Sequence, residues 1–87
     1  MELSAPGQNP PLIHVAIVED DLGFRRALAE AIEGTQDIRL AAAAGTRAEG
    51  LAMLQGAPAD VLLVDLGLPD GSGIDVIKAA AQLWGSC

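Results

Sequence analysis

Acidic side chains follow two separate apolar runs of this sequence. EDD at 19–21 comes directly after LIHVAIV at 12–18, and Asp65 comes directly after VLLV at 61–64. If both runs are strands of one parallel sheet, these carboxylates meet at its C-terminal edge, where ligands bind. Converging carboxylates repel one another unless a cation neutralises them. Because no His or Cys lies nearby, the oxygen donors favour Mg²⁺ over zinc.

The composition excludes several classes of protein. The 87 residues carry twelve acidic and five basic side chains, a net charge of -7, so we expect no direct nucleic-acid binding. No apolar stretch approaches the roughly 20 residues that cross a bilayer, and the N-terminus lacks the features of a secretory signal. The lone cysteine, Cys87, allows no internal disulfide. Together these features indicate a cytoplasmic protein without a membrane segment.

The apolar pattern predicts six elements in the order β-α-β-α-β-α. Strands are predicted at 12–18, 38–44 and 61–64, and helices at 22–33, 46–54 and 74–83. Short connections in this order imply right-handed crossovers and a three-layer α/β fold with a parallel sheet. We expect residues 1–11, which are rich in proline, to form a flexible leader, and residues 12–87 to form one domain.

Side chains within the helices can also be assigned. Four apolar residues of the first helix form one stripe that we expect to pack on the sheet: Phe24, Leu28, Ala31 and Ile32. Arg25 and Arg26 are assigned to its solvated face. Thr46 and Glu49 have the spacing of a capping box at the start of the second helix. Asp70 is assigned to a loop.

Two stretches resemble the receiver domains of two-component response regulators. They are IHVAIVEDD at 13–21 and VLLVDLGLPDGSG at 61–73, and they occur in the family's order. Pro69 and Gly73 match the residues that shape the family's loop. The loop is most similar to that of regulators with a LuxR-type helix-turn-helix output domain. The resemblance implies a flavodoxin-like, CheY-like fold and a role in phosphorelay signalling.

The resemblance also implies a role for each acidic residue. Asp65 matches the aspartate that accepts a phosphoryl group from the phosphohistidine of a sensor histidine kinase. Asp20 matches a direct Mg²⁺ ligand, and Glu19 matches an acid that acts through water. Gly67 matches the position whose backbone carbonyl completes the metal site. We therefore expect Mg²⁺ to be held by Glu19, Asp20, Asp65 and Gly67.

The family pattern continues beyond what this sequence contains. Receivers carry a fourth strand ending in Ser or Thr and a fifth ending in Lys, and both side chains grip the phosphoryl group. Lys78 lies within the third predicted helix and is no substitute. We therefore expect a C-terminally truncated receiver with an exposed sheet edge, and exposed edges favour a homo-oligomer. For the same reason we expect Leu83 and Trp84 to be exposed.

Three functions remain open at this point. The first is a signalling switch, not an enzyme, that controls transcription through an output domain outside these residues. The second is a Mg²⁺-dependent phosphotransferase or phosphatase with an aspartyl nucleophile, although such enzymes carry an acid where this sequence has Gly67. The third is a structural interaction module whose acidic cluster is vestigial.

Overall fold

The computed structural model describes residues 12–85, so the predicted leader at 1–11 and Cys87 lie outside the described residues. The elements are β1 (Ile13–Val18), α1 (Leu22–Glu33), β2 (Ile38–Ala44), α2 (Arg47–Met53), β3 (Val61–Val64), β4 (Gly67–Leu68), β5 (Gly71–Ser72) and α3 (Gly73–Leu83). The predicted β-α-β-α-β-α order is confirmed. The sequence did not predict β4 and β5, which form a short antiparallel hairpin.

The three long strands form a parallel sheet in the order β2-β1-β3. Val18, the last residue of β1, lies opposite Ala44 of β2 and Val64 of β3. A register shift leaves Ala41 of β2 without an opposite residue in β1. All three strands therefore end at one level, which places the residues that follow them side by side.

Both faces of the central strand are covered. Val15–Val18 are all buried, and successive side chains of a strand point to opposite faces. One face belongs to the core formed with α2 and α3, whose buried residues are Ala16, Val18, Ala44, Leu54, Ala59, Leu68, Val76, Ala80 and Trp84. The crossovers from β1 to β2 and from β2 to β3 run in opposite directions, so right-handed connections place α1 on the other face. The predicted three-layer arrangement is confirmed.

The α1 side of the sheet is covered more thinly than its sequence pattern predicted. No residue of α1 is buried, and Phe24 is 55% exposed. Val61 and Leu63 of β3 are also exposed. β3 lies at the edge of the sheet, and α1 packs mainly on β2. The prediction of the helix is therefore right, but the prediction that its apolar stripe is packed is wrong for Phe24 and Ala31, which are exposed.

Trp84 corrects a second expectation. Its side chain is buried in the core, and its indole N–H donates a hydrogen bond of 2.9 Å to the Leu54 carbonyl at the end of α2. Leu83 beside it is 52% exposed, as expected. The indole satisfies a helix-end carbonyl while its ring packs in the core cluster, so contacts within residues 12–85 stabilise its burial.

Short-range hydrogen bonds start all three helices. Asp21 caps α1 by accepting from the Phe24 amide, and Ser72 caps α3. Thr46 caps α2 as its spacing predicted, accepting from the Glu49 amide at 3.0 Å. None of the helices in the described part of the chain combines the length and apolar character that a bilayer crossing needs.

Candidate metal centre

Three of the predicted site residues come together at the C-terminal edge of the sheet. Glu19, Asp20 and Asp65 each offer a carboxylate oxygen, and these oxygens lie within 4.8 Å of one another. The backbone fixes this arrangement, because hydrogen bonds continue past the strand ends. The Glu19 amide donates to the Ala44 carbonyl at 2.9 Å, and the Asp65 amide donates to the Val18 carbonyl at 2.8 Å.

Nearby backbone amides orient two of these carboxylates. The Asp21 amide donates to Oε2 of Glu19, and the Gly67 amide donates to Oδ1 of Asp65, both at 3.0 Å. Asp65 and Gly67 thereby close a tight turn of the kind that acidic residues favour. Gly67 therefore lies beside the cluster, while its carbonyl as a fourth ligand stays a prediction.

The pKa values of Asp65 and Glu19 are shifted in opposite directions. The hydrogen bond that the Gly67 amide donates to Asp65 lowers the pKa of Asp65 below its usual value. The Asp21 amide lowers the pKa of Glu19, but desolvation and repulsion from Asp65 outweigh that bond, so the pKa of Glu19 is raised. The environment therefore favours the ionised form of Asp65 and disfavours that of Glu19.

The donor set suits a hard divalent cation. Three carboxylates from two strand ends supply only oxygen ligands, which Mg²⁺ prefers. None of the ion pairs formed within residues 12–85 involves these carboxylates, so no side-chain cation of that part of the chain neutralises them by direct pairing. Among the described residues, Glu19, Asp20 and Asp65 are the side chains that could hold such an ion.

Arg25 is a site residue that the sequence analysis missed. Its side chain is not on a solvated face as expected, because one guanidinium nitrogen donates to the Glu19 carbonyl at 2.8 Å. The guanidinium occupies the space where a side chain at Gly45 would lie. Arg25 thus links α1 to the residues that follow β1 and β2. The signal that could have revealed it is the glycine immediately after β2, which leaves room for a large neighbour.

The loop after Asp65 is held by the hairpin and by a close backbone approach. Gly67 pairs with Ser72, and Leu68 is buried in the core. The Gly73 amide donates to the Leu66 carbonyl at 2.9 Å. A side chain at Gly73 would run into the Asp65 carbonyl, whereas one at Gly67 would meet nothing within 4 Å. The close approach of the backbone therefore requires a glycine at position 73, whereas the available space does not require one at position 67.

Comparison with known proteins agrees with this geometry. Residues 15–86 match the family described as the response regulator receiver domain. The chain is 39% identical over 71 residues to the KDP operon transcriptional regulatory protein KdpE of Escherichia coli (strain K12), covering 82% of this chain and 31% of that protein. It is 37% identical over 89 residues to the acid tolerance regulatory protein ActR of Rhizobium meliloti (strain 1021), covering 91% and 44%.

A third relative is the DNA-binding transcriptional activator DevR/DosR of Mycobacterium tuberculosis. It is 31% identical over 67 residues, covering 77% of this chain and 31% of that protein. The chain thus spans between 31% and 44% of the length of these three relatives.

The contrast between the two loop glycines gives a direct test of this geometry. We expect Gly73→Ala to destabilise the fold by about 2 kcal/mol, because the new methyl group overlaps the Asp65 backbone. Gly67→Ala is the matched control and should change stability by less than about 0.5 kcal/mol, since its site is open. Urea unfolding followed by circular dichroism measures both. Equal effects of the two substitutions would contradict the close packing of α3 on Asp65.

Proposed function

The chain belongs to the response regulator receiver domain family, and on that basis we propose that Asp65 is its phosphoacceptor. Receiver domains are signalling domains of two-component systems, and their partners are sensor histidine kinases. The observation that supports the residue assignment is the convergence of Glu19, Asp20 and Asp65 within 4.8 Å at the ends of β1 and β3. Of the three carboxylates, Asp65 is the one whose pKa is lowered, because it accepts a hydrogen bond from the Gly67 amide.

In the proposed reaction a carboxylate oxygen of Asp65 attacks the phosphorus of a phosphohistidine. The new O–P bond forms as the P–N bond breaks, and the imidazole leaves with the electron pair and takes up a proton from solvent. The product is an acyl phosphate. Because the Gly67 amide occupies Oδ1 of Asp65, we assign the attack to Oδ2. The lowered pKa of Asp65 keeps this nucleophile ionised at neutral pH.

Glu19 and Asp20 have a different role in this proposal. They stand beside the attacking carboxylate and supply, with Asp65 and the Gly67 carbonyl, the oxygen ligands of a divalent cation. When bound, Mg²⁺ would neutralise the carboxylates and the phosphoryl oxygens that approach them. Arg25 holds the Glu19 backbone in place through its carbonyl.

The names of the relatives support a role in transcription. KdpE is described as a transcriptional regulatory protein, and DevR/DosR as a DNA-binding transcriptional activator. We propose that this receiver acts in the cytoplasm and controls transcription through an output domain outside these 87 residues. The net charge of -7 argues against nucleic-acid binding by the receiver itself.

Phosphoryl transfer can be tested with a small donor. We expect the protein to gain the mass of one phosphoryl group when it is incubated with acetyl phosphate and Mg²⁺. Intact mass spectrometry measures this gain. Asp65→Asn should gain none, because the amide is not a nucleophile. Asp37→Asn, the same charge change at an exposed residue before β2, should gain one as the unsubstituted chain does. Modification that persists in Asp65→Asn, or steady turnover of a phosphate ester, would contradict the proposal.

We also propose that the β3 edge of the sheet, one of its two edges, pairs with a second copy of the chain. β3 bonds to β1 on one side, and within residues 12–85 no strand bonds to its other side. Val61 and Leu63 are exposed there, and an apolar groove of about 530 Å³ opens between β3 and α3. An unpaired edge beside exposed apolar side chains favours strand pairing between molecules.

Sedimentation velocity tests this pairing. We expect the 87-residue chain to sediment as a dimer or a larger oligomer, and Leu63→Lys to sediment as a monomer because a charge on the edge blocks pairing. Leu83→Lys is the control, since Leu83 is also exposed but lies at the end of α3. A compact monomer before substitution, or equal dissociation by both substitutions, would contradict the proposal.

A further inference from the structure

One acidic side chain outside the cluster links the loop after Asp65 to a helix. Asp70 lies at the tip of the β4–β5 hairpin, and both of its carboxylate oxygens are used. Oδ1 accepts from the Arg47 amide at 2.6 Å, and Oδ2 accepts from the Ala48 amide at 2.9 Å. These amides are in the first turn of α2, more than twenty residues away along the chain. The loop is therefore bound to α2 by a two-pronged contact.

The two amides depend on Asp70 because the local cap does not reach them. The Thr46 hydroxyl accepts from the Glu49 amide, one residue further into the helix. The amides of Arg47 and Ala48 are donors that a helix cannot satisfy from within. The same two bonds lower the pKa of Asp70, so its carboxylate is ionised at neutral pH. Asp70 thus supplies the acceptors that the first turn of α2 lacks, and α2 supplies the donors that hold the loop.

The Arg47 side chain makes a further contact across the hairpin tip to α3. Its Nε donates to Oδ2 of Asp75 at 3.0 Å, in the first turn of α3. On the way its side chain crosses Gly71, where a Cβ would overlap it. Gly71 has a φ of 154°, a conformation that favours glycine. The hairpin tip therefore contacts α2 twice, through the Asp70 carboxylate and through the Arg47 side chain that lies against Gly71.

We propose that Asp70 is a positioning residue of the acidic site. Its carboxylate fixes the hairpin tip on α2, and the pairing of Gly67 with Ser72 transmits that constraint to the amide that orients Asp65. This inference rests on the proposed function, since it concerns the same cation site. Apart from Leu68, the residues of the hairpin are exposed, so few other contacts hold them.

The test compares two aspartates of equal charge. Mg²⁺ is titrated into the isotope-labelled chain, and the dissociation constant is read from the amide signals of Asp65 and Gly67. We expect Asp70→Ala to weaken Mg²⁺ binding about tenfold, a typical cost of losing a residue that orients a metal ligand. Asp75→Ala removes the same charge and only the Arg47 side-chain contact, so we expect less than about a twofold change.

A second measurement separates positioning from simple stabilisation. All titrations are run at a temperature where each variant is fully folded, so lost stability alone leaves the Mg²⁺ affinity of the folded state unchanged. Asp70→Asn keeps one acceptor oxygen, and we expect an affinity between those of the unsubstituted chain and Asp70→Ala. Equal affinities for Asp70→Ala and Asp75→Ala would overturn the inference.

The positioning role of Asp70 can also be tested if the chain does not bind Mg²⁺. If the unsubstituted chain binds no Mg²⁺, the proposed function is wrong, and amide exchange with water then tests the positioning role alone. Faster exchange of the Gly67 amide in Asp70→Ala than in Asp75→Ala supports the link between hairpin tip and Asp65. Identical exchange in the two variants overturns it.

Discussion

The structure depends on holding like charges together at one edge of a sheet. Because β1 and β3 are parallel neighbours in register at Val18 and Val64, the acids that follow them meet. Three carboxylates within 4.8 Å repel one another, and repulsion from Asp65 contributes to the raised pKa of Glu19, whereas the Gly67 amide lowers the pKa of Asp65. The fold tolerates it because backbone hydrogen bonds past the strand ends fix the positions. The same strain makes the edge receptive to a divalent cation.

Backbone contacts and long-range links complete the site. The Gly67 amide orients Asp65, and Gly73 brings the start of α3 against the Asp65 carbonyl. Arg25 reaches the Glu19 carbonyl from α1, and Asp70 reaches α2 from the hairpin. Arg25 and Gly73 thus contact the backbone beside the acids and not their carboxylates. Such an arrangement suits a site whose charges must respond to an incoming ion or phosphoryl group.

Much of this could be predicted from sequence because the signals are local. The strands, the Thr46 cap and the convergence of the acids follow from apolar runs, short spacings and the geometry of parallel sheets. The contacts of Arg25, Asp70 and Trp84 could not be predicted from sequence, because each joins residues that are far apart in the chain or lie in different elements. The exposure of Phe24 was missed because periodicity indicates which face is apolar, not whether anything covers it.

The most direct test of the charge cluster is the dependence of thermal stability on Mg²⁺ at neutral pH. Without the ion we expect Glu19→Gln to melt at a higher temperature than the unsubstituted chain, because the raised pKa of Glu19 means that its charge opposes folding at neutral pH. Adding Mg²⁺ should raise the melting temperature of the unsubstituted chain and of the control Asp37→Asn, but not that of Asp65→Asn. Two results would contradict the role of the charge cluster. Mg²⁺ could leave the melting temperature of the unsubstituted chain unchanged, or it could raise the melting temperature of Asp65→Asn by the same amount.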